Sequence, residues 1–424
     1  MSDYLEQLAH SRGAQRGIYS VCSAHRWVLE AVMRRHAGCA GPLLIEATCN
    51  QVNQFGGYTG MAPADFAEFV SGIAAHAGFA RDRILLGGDH LGPFPWQHLA
   101  AEEAMANAVD LVRIFVQAGY TKIHLDASMP CLGDPRPLPD ATIAGRAARL
   151  CAVAEAAAGR IRPVYVIGTE VPTPGGAVEE MELAVTSPQA AERALGLHRE
   201  AFFNAGLEAA WERIIALVVQ PGVEFGHDSV HDYQPSRAES LCATLANHPR
   251  LVFEAHSTDY QTAEALASLV RDGFKILKVG PALTFAMRQA IFALAAIEAE
   301  CVPAARQSHL PDKIEAIMLH SPGQWQKHYE GSPDEQHRLR IHSYSDRIRY
   351  YWQNPEVQQA VEKLVSNLED AVIPETMLSD YMPFQYAKVR LGTLQNRPLP
   401  LIFDCIGIAL DPYIAACGCN ARSR

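Results

Sequence analysis

ILLGGDH, Ile84 to His90, sits between two Ala- and Leu-rich stretches, PADFAEFVSGIAAHAGF (63–79) and AEEAMANAVDLVRIFVQAGY (101–120). The central run is short, apolar and β-branched, and it ends on two ionisable residues. The flanking stretches carry apolar residues at helical spacing, and each closes near a glycine, Gly78 or Gly119, that suits a helix C-terminus. Helix, buried strand, helix is the repeating unit. A run with no polar alternation is a strand covered on both faces, as in a parallel sheet.

Reading outward from this unit, the same pattern recurs. GIYSVCS (Gly17 to Ser23) and PLLIEAT (Pro42 to Thr48) precede it. KIHLDAS (Lys122 to Ser128), VYVIGTE (Val164 to Glu170), ALVVQPGVEF (Ala216 to Phe225), LVFEAHST (Leu251 to Thr258) and ILKVGPA (Ile276 to Ala282) follow. Eight strand–helix units predict an α/β fold, a (β/α)₈ TIM barrel over residues 1–300, in preference to a doubly wound open sheet. Beyond residue 300 the strand runs stop. PDKIEAIMLH, SDRIRYYWQN and PEVQQAVEKLVSNLEDA read as helical, so residues 301–424 are expected to form a helical extension packed on the barrel or on a partner.

Composition narrows the function classes. A formal net charge of −11 supplies no basic face for a nucleic-acid backbone. The N-terminal MSDYLEQLAHSRG has no apolar signal region, and no apolar run is expected to approach the ~20 residues of a membrane span. The ten cysteines are scattered, with Cys417 and Cys419 as the only close pair. They read as free thiols of a cytoplasmic protein. There is no G-x-x-x-x-G-K-[ST] loop and no G-x-G-x-x-G after a strand, which disfavours P-loop kinases and Rossmann dehydrogenases.

In a TIM barrel the chemistry lies at the C-terminal strand ends. Here those ends carry Glu46, Thr48, Asn50, Asp89, His90, Asp126, Ser128, Glu170, Gln220, Glu224, Glu254, His256, Asp259 and Lys278. His90, Glu170 and His256 end strands three, five and seven. Two imidazoles and a carboxylate meeting over the axis would form a divalent-metal site with an open position, and zinc is the expected ion. Asp89, beside His90, is the expected general acid/base, with Asp126 and Asp259 as further candidates. Ser257, Thr258, Lys278, Gly280 and the following helix N-terminus are the expected phosphate site. Lys278 is also a candidate Schiff-base lysine. Asn50 and Gln51, with Asn53 and Gln54, lie in an amide-rich loop suited to sugar hydroxyls. Arg347 in SYSDRIRYYW is a further phosphate candidate, against the alternative of a helix buried through Ile348, Tyr351 and Trp352.

The segments IEATCNQVNQFGGYTGM, ILLGGDHLGP, KIHLDASM, YVIGTEVPTPGG, VVQPGVEFGH, EAHSTDYQT, LKVGPALTFAMRQAIFAL and SYSDRIRYYW together resemble the GatZ/KbaZ family, from Gly17 to beyond Trp352. That resemblance implies an accessory subunit of class II D-tagatose-1,6-bisphosphate aldolase. Some relatives in that family are implicated as 4-epimerases that interconvert D-tagatose 6-phosphate and D-fructose 6-phosphate, so the resemblance also implies that activity. More distantly, Asp89-His90, His256 and Lys278-Val279-Gly280 resemble the acid/base-ligand pair, the later ligand and the phosphate strand of catalytic class II aldolases. Gly168-Thr169-Glu170 stands where those enzymes have a histidine ligand. A glutamate there softens Lewis acidity and weighs against bisphosphate cleavage while keeping the metal. The expected reading is therefore a metal-dependent enzyme of phosphorylated ketoses, as a homo-oligomer or beside a catalytic aldolase subunit.

Overall fold

Eight parallel strands close into a barrel in the computed structural model, which describes residues 2–9, 15–169 and 183–419. They are β1 (Ile18–Val21), β2 (Leu43–Thr48), β3 (Ile84–Leu91), β4 (Lys122–Leu125), β5 (Val164–Ile167), β6 (Ile214–Val218), β7 (Val252–Ala255) and β8 (Phe274–Val279). Each pairs with its sequence neighbours, and β8 pairs back onto β1 through Ile18–Ile276 and Ser20–Lys278. All eight strand runs of the sequence are barrel strands. One was read too long: β6 stops at Val218, and Glu224–Phe225 instead forms a two-stranded antiparallel ribbon with Val230–His231. The break lies at Pro221-Gly222, where Gly222 takes φ +90° and the Gln220 side chain accepts the N–H groups of Gly222 and Val223.

The barrel is filled in layers. At the N-terminal end Ile18, Leu44, Leu85, Val164, Ala216, Val252 and Ile276 form a buried apolar cluster, plugged from below by Leu5 and Leu8 of the helix Ser2–Ala9. Two residues further along the strands the side chains face inward again, and there the sequence changes character: Ser20, Glu46, Lys122, Glu254 and Lys278 are all buried. Gly87 occupies the matching place on β3, since a Cβ there would lie 2.4 Å from Glu46 Oε1.

The residues after 300 join the same hydrophobic core as the barrel. The last helix, Pro398–Ala416, packs against Arg26–His36, Ala263–Arg271 and Pro281–Cys301, and the Gly17 N–H donates to Cys417 O at its end. Pro281–Cys301 and Pro398–Ala416 are long and apolar enough to cross a membrane, which corrects the expectation that no stretch would be. For Pro281–Cys301 the composition has a structural explanation, because it lies between other helices and is mostly buried, whereas Pro398–Ala416 is buried over less than half of its apolar stretch. All ten cysteines are free.

The mouth is shaped where β3 leaves the sheet. His90 has φ +50°, a left-handed conformation that costs a histidine energy. Gly92 then passes so close to β4 that a Cβ would lie 1.6 Å from Asp126 O. We expect Gly92→Ala to lower unfolding free energy by at least ~3 kcal/mol, read by urea denaturation; near-native stability would contradict this close approach.

Candidate metal centre and cavity

β4 supplies three inward positions in succession, Lys122, His124 and Asp126, because alternate residues of a strand share a face. β7 supplies Glu254 and His256, β2 supplies Glu46, and β8 supplies Lys278. The turn at His90 explains how two consecutive residues, Asp89 and His90, both face the axis: the left-handed backbone reverses the alternation that would send them to opposite sides.

The lower tier is an ion network. Lys122 Nζ lies 2.7 Å from both Glu46 and Glu254. Lys278 Nζ bonds Glu46, Asp89 at 2.8 Å and Glu254 at 3.2 Å. Ser20 Oγ donates to Glu46 at 2.5 Å. Burial alone would lower the Lys278 pKa, but Asp89, Glu254 and Glu46 outweigh it and hold the amine above the ordinary lysine range. Burial would likewise raise the Glu254 carboxyl, but Lys122, Lys278 and His256 hold it well below the usual range. A protonated amine held by three carboxylates is no Schiff-base nucleophile, so the geometry does not favour the covalent-aldolase reading of Lys278.

Above this tier Asp89, His90, His124 and His256, all buried, bring one ligand atom each within 4.8 Å of one another. Every imidazole is held by a carboxylate on one side. His90 Nδ1 is 2.8 Å from Asp126 Oδ2, His256 Nε2 is 3.0 Å from Glu254 Oε1, and His124 Nδ1 is 2.9 Å from Asp89 Oδ1. His124 Nδ1 also lies 3.2 Å from the His90 N–H, and its tautomer decides which bond forms. The three remaining ring nitrogens are His90 Nε2, His124 Nε2 and His256 Nδ1. Of these, His124 Nε2 is buried with no hydrogen-bond partner among the described residues.

A buried, unpaired imidazole nitrogen beside two other histidines fits a divalent metal. Histidine ligands held by carboxylates on their far nitrogen are the usual arrangement around zinc. The charge balance agrees, since the two lysine amines face Glu46, Glu254 and Asp89. Asp89 is held well below the carboxylate range: burial opposes this, but Lys278, His90, His124 and His256 outweigh it. Burial pushes His256 down to about 4. His90 is raised, because Asp89 and Asp126 outweigh its burial.

The centre opens into a cavity lined by Cys22, His25, Asn50, Gln51, Tyr58, Ser257, Thr284, Arg349 and Tyr350, among others. The sequence-selected residues fare differently within it. Asp89, His90 and His256 come together, with Asp126 bonded behind His90. Glu170 lies outside the described residues. Asn50 and Gln51 line the cavity, although the Gln51 amide already bonds Cys22 O and the Thr48 N–H. Asn53 and Gln54 instead bond Cys49 O and Asn107 O. Ser257 (φ +53°) and Gly280 line the cavity, while the Thr258 hydroxyl donates to Lys278 O.

Asp259 accepts the N–H groups of Gly280 (2.9 Å) and Ala282 (2.8 Å), capping the helix Pro281–Cys301. Burial pushes its carboxyl up to about 6. Arg347 is buried away from the cavity and donates to Gln324 O; the arginine that faces the cavity is Arg349, two residues on. Sequence reasoning missed His124 and Lys122, and named Glu46 among the strand-end residues without giving it a role. The alternation Lys122-His124-Asp126 was the available signal for the first two. Arg349 had none, because its position depends on how the extension folds over the barrel.

A family model described as D-tagatose-1,6-bisphosphate aldolase subunit GatZ/KbaZ-like matches residues 4–418. The chain belongs to the GatZ/KbaZ-like family. It is 52% identical to a protein described as a probable tagatose 6 phosphate kinase from Sinorhizobium meliloti 1021, whose crystal structure superposes with a TM-score of 0.89 over 95% of this chain and 100% of that one. Two aldolase structures overlay much more loosely. YdjI aldolase from Escherichia coli K12 is 12% identical, with a TM-score of 0.43 over 85% of this chain and 94% of that one. Fructose-bisphosphate aldolase from Campylobacter jejuni is 13% identical, with 0.44 over 90% and 92%.

Two measurements follow for this GatZ/KbaZ-like chain. Zinc titrated calorimetrically into metal-stripped protein is expected to bind one ion per chain, and His124→Ala to weaken it by ~100-fold or more; unchanged affinity in the variant would remove His124 from the ligand set. Lys122→Met leaves Glu46 and Glu254 short of a buried counter-charge and is expected to cost ~3–5 kcal/mol, measured by guanidinium unfolding.

Proposed function

We propose that this chain is a metal-dependent epimerase that interconverts D-tagatose 6-phosphate and D-fructose 6-phosphate at C4. The observation that carries this reading is the convergence of Asp89, His90, His124 and His256, each imidazole fixed by a carboxylate, beside a cavity. A barrel kept only as a support for another subunit has no need of three aimed histidines over a buried ion network. His90, His124 and His256, with Asp89 beside them, would hold the ion, and zinc suits that donor set. A divalent ion bound there would polarise the ketose carbonyl and stabilise the negative charge that develops at C2.

The chain's own groups supply the rest. Asp89, kept ionised by Lys278 and the histidines, takes the proton of the C4 hydroxyl. The C4–O bond becomes a carbonyl, the C3–C4 bond breaks, and its electron pair moves into an enediolate over C2 and C3. The aldehyde fragment turns to offer its other face, the C3–C4 bond reforms, and Asp89 returns the proton to the inverted C4 oxygen. Lys278 remains protonated throughout and keeps Asp89 in place. Asn50, which lines the cavity, would bind sugar hydroxyls at the rim, while the Gln51 amide is held by Cys22 O and the Thr48 N–H. A kinase activity, as the name of the Sinorhizobium meliloti relative would suggest, finds no support, because the sequence has no nucleotide-phosphate loop. The free cysteines suit a cytoplasmic setting, in keeping with a phosphorylated substrate.

The second reading is a subunit that stabilises a catalytic class II aldolase, and it rests on the description of the family. One assay separates the two. Purified, zinc-loaded protein with D-tagatose 6-phosphate alone is expected to give D-fructose 6-phosphate by NMR. Asp89→Asn should lower kcat by ~10²–10⁴-fold. No conversion by fully metallated protein, with an aldolase co-purifying from its native host, would favour the subunit reading.

A further inference from the structure

We infer that Arg349, carried over the barrel mouth by the extension, is the anchor for the substrate's single phosphate, and that Asp259 closes the position where a second phosphate would bind. The assignment rests on the ketose-phosphate reading of the cavity. Only two fixed cations line that cavity among the described residues, Lys278 and Arg349. Lys278 has no charge to spare, since three carboxylates surround it. Arg349 makes no ion pair among the described residues. Its Nη1 donates to Ser345 O and to Asp346 O at 3.2 Å, and its Nη2 to Tyr350 Oη at 2.9 Å. The Asp346 carboxylate is turned to the Thr284 hydroxyl instead.

Arg349 is thus a partly buried guanidinium, fixed by neutral acceptors, with its Nε and remaining Nη2 hydrogens free of partners among the described residues. A charge in such a place gains most from an anion that a planar fork can grip. Tyr350 takes one Nη2 hydrogen as an acceptor and so keeps its own O–H to donate. The Tyr58 ring packs edge-on against Tyr350 with centroids 4.9 Å apart, which holds the pair at the cavity wall.

The other natural anion position at the mouth is the N-terminus of the helix Pro281–Cys301. Its first position is Pro281, which has no N–H, and Asp259 accepts the N–H groups on either side of it. A second phosphate there would meet a carboxylate. Among the described residues, one free cation and one blocked helix end select a monophosphate over a bisphosphate. The same geometry suits the proposed reaction, because a phosphate gripped at one end leaves the aldehyde fragment tethered while its carbonyl turns.

The test is calorimetric binding of inorganic phosphate, D-fructose 6-phosphate and D-fructose 1,6-bisphosphate to zinc-loaded wild type, Arg349→Gln, Arg349→Lys and Asp259→Asn. Zinc stoichiometry and far-UV circular dichroism serve as folding controls. Wild type should bind the monophosphate about tenfold or more tighter than the bisphosphate. Arg349→Gln should lose ~10–100-fold for the monophosphate and for inorganic phosphate, and Arg349→Lys should recover part of that loss. Asp259→Asn should tighten the bisphosphate selectively. Folded Arg349→Gln binding all three like wild type overturns the anchor and leaves the ketose-phosphate reading standing. Wild type that binds none of the three overturns that reading and the anchor with it.

Discussion

Two lysine amines sit inside the barrel, where a charge without a partner is not tolerated, and most of the site's arrangement follows from satisfying them. Lys122 and Lys278 require Glu46 and Glu254 at the same depth, and Lys278 draws Asp89 down to complete its shell. Once those carboxylates are fixed they fix others. Glu254 holds His256, Asp89 holds His124, and Gly87 is left without a side chain because Glu46 needs its volume. The charged tier positions the histidines above it and keeps the neighbouring carboxylates ionised. A divalent ion among three imidazoles and Asp89 would then rest on a net negative support.

The barrel was legible because burial on both faces of a parallel strand leaves an unmistakable mark: short β-branched runs, each followed by a helical stretch. The mouth was legible only where strand-end position was itself the signal, as for Asp89, His90 and His256. His124 shows the limit. It lies one alternation below the end of its strand, so a search of the tips passes over it, whereas the period-two rhythm of Lys122, His124 and Asp126 places it on the axis. The pairing of Asp89 with His90 ran against that same rhythm. The left-handed backbone at His90 resolves it, and a sequence does not encode a strained φ in the identity of a histidine.

Arg349 and Asp259 were hidden for a different reason. Their roles depend on contacts between segments far apart in the chain. Arg347 and Arg349 are equivalent by composition, and only the turn over 347–350 decides which faces the cavity and which packs inside against Gln324. Asp259 was selected as an acid/base group because it follows a strand end. Its two backbone donors make it a helix cap, and the anion position expected at that helix is taken by its own carboxylate. The helices after residue 300 therefore do more than cover the barrel, since they bring a cation to a mouth whose other fixed cation among the described residues, Lys278, is already neutralised.

Retro-aldol chemistry at C4 makes a demand that other routes to the same product do not: the hydrogen on C4 never leaves carbon. The most direct measurement is conversion of D-[4-²H]tagatose 6-phosphate by the zinc-loaded chain alone, with the product examined by NMR. The account predicts D-fructose 6-phosphate with deuterium fully retained at C4. Solvent hydrogen at C4, or no product from fully metallated protein, would contradict it.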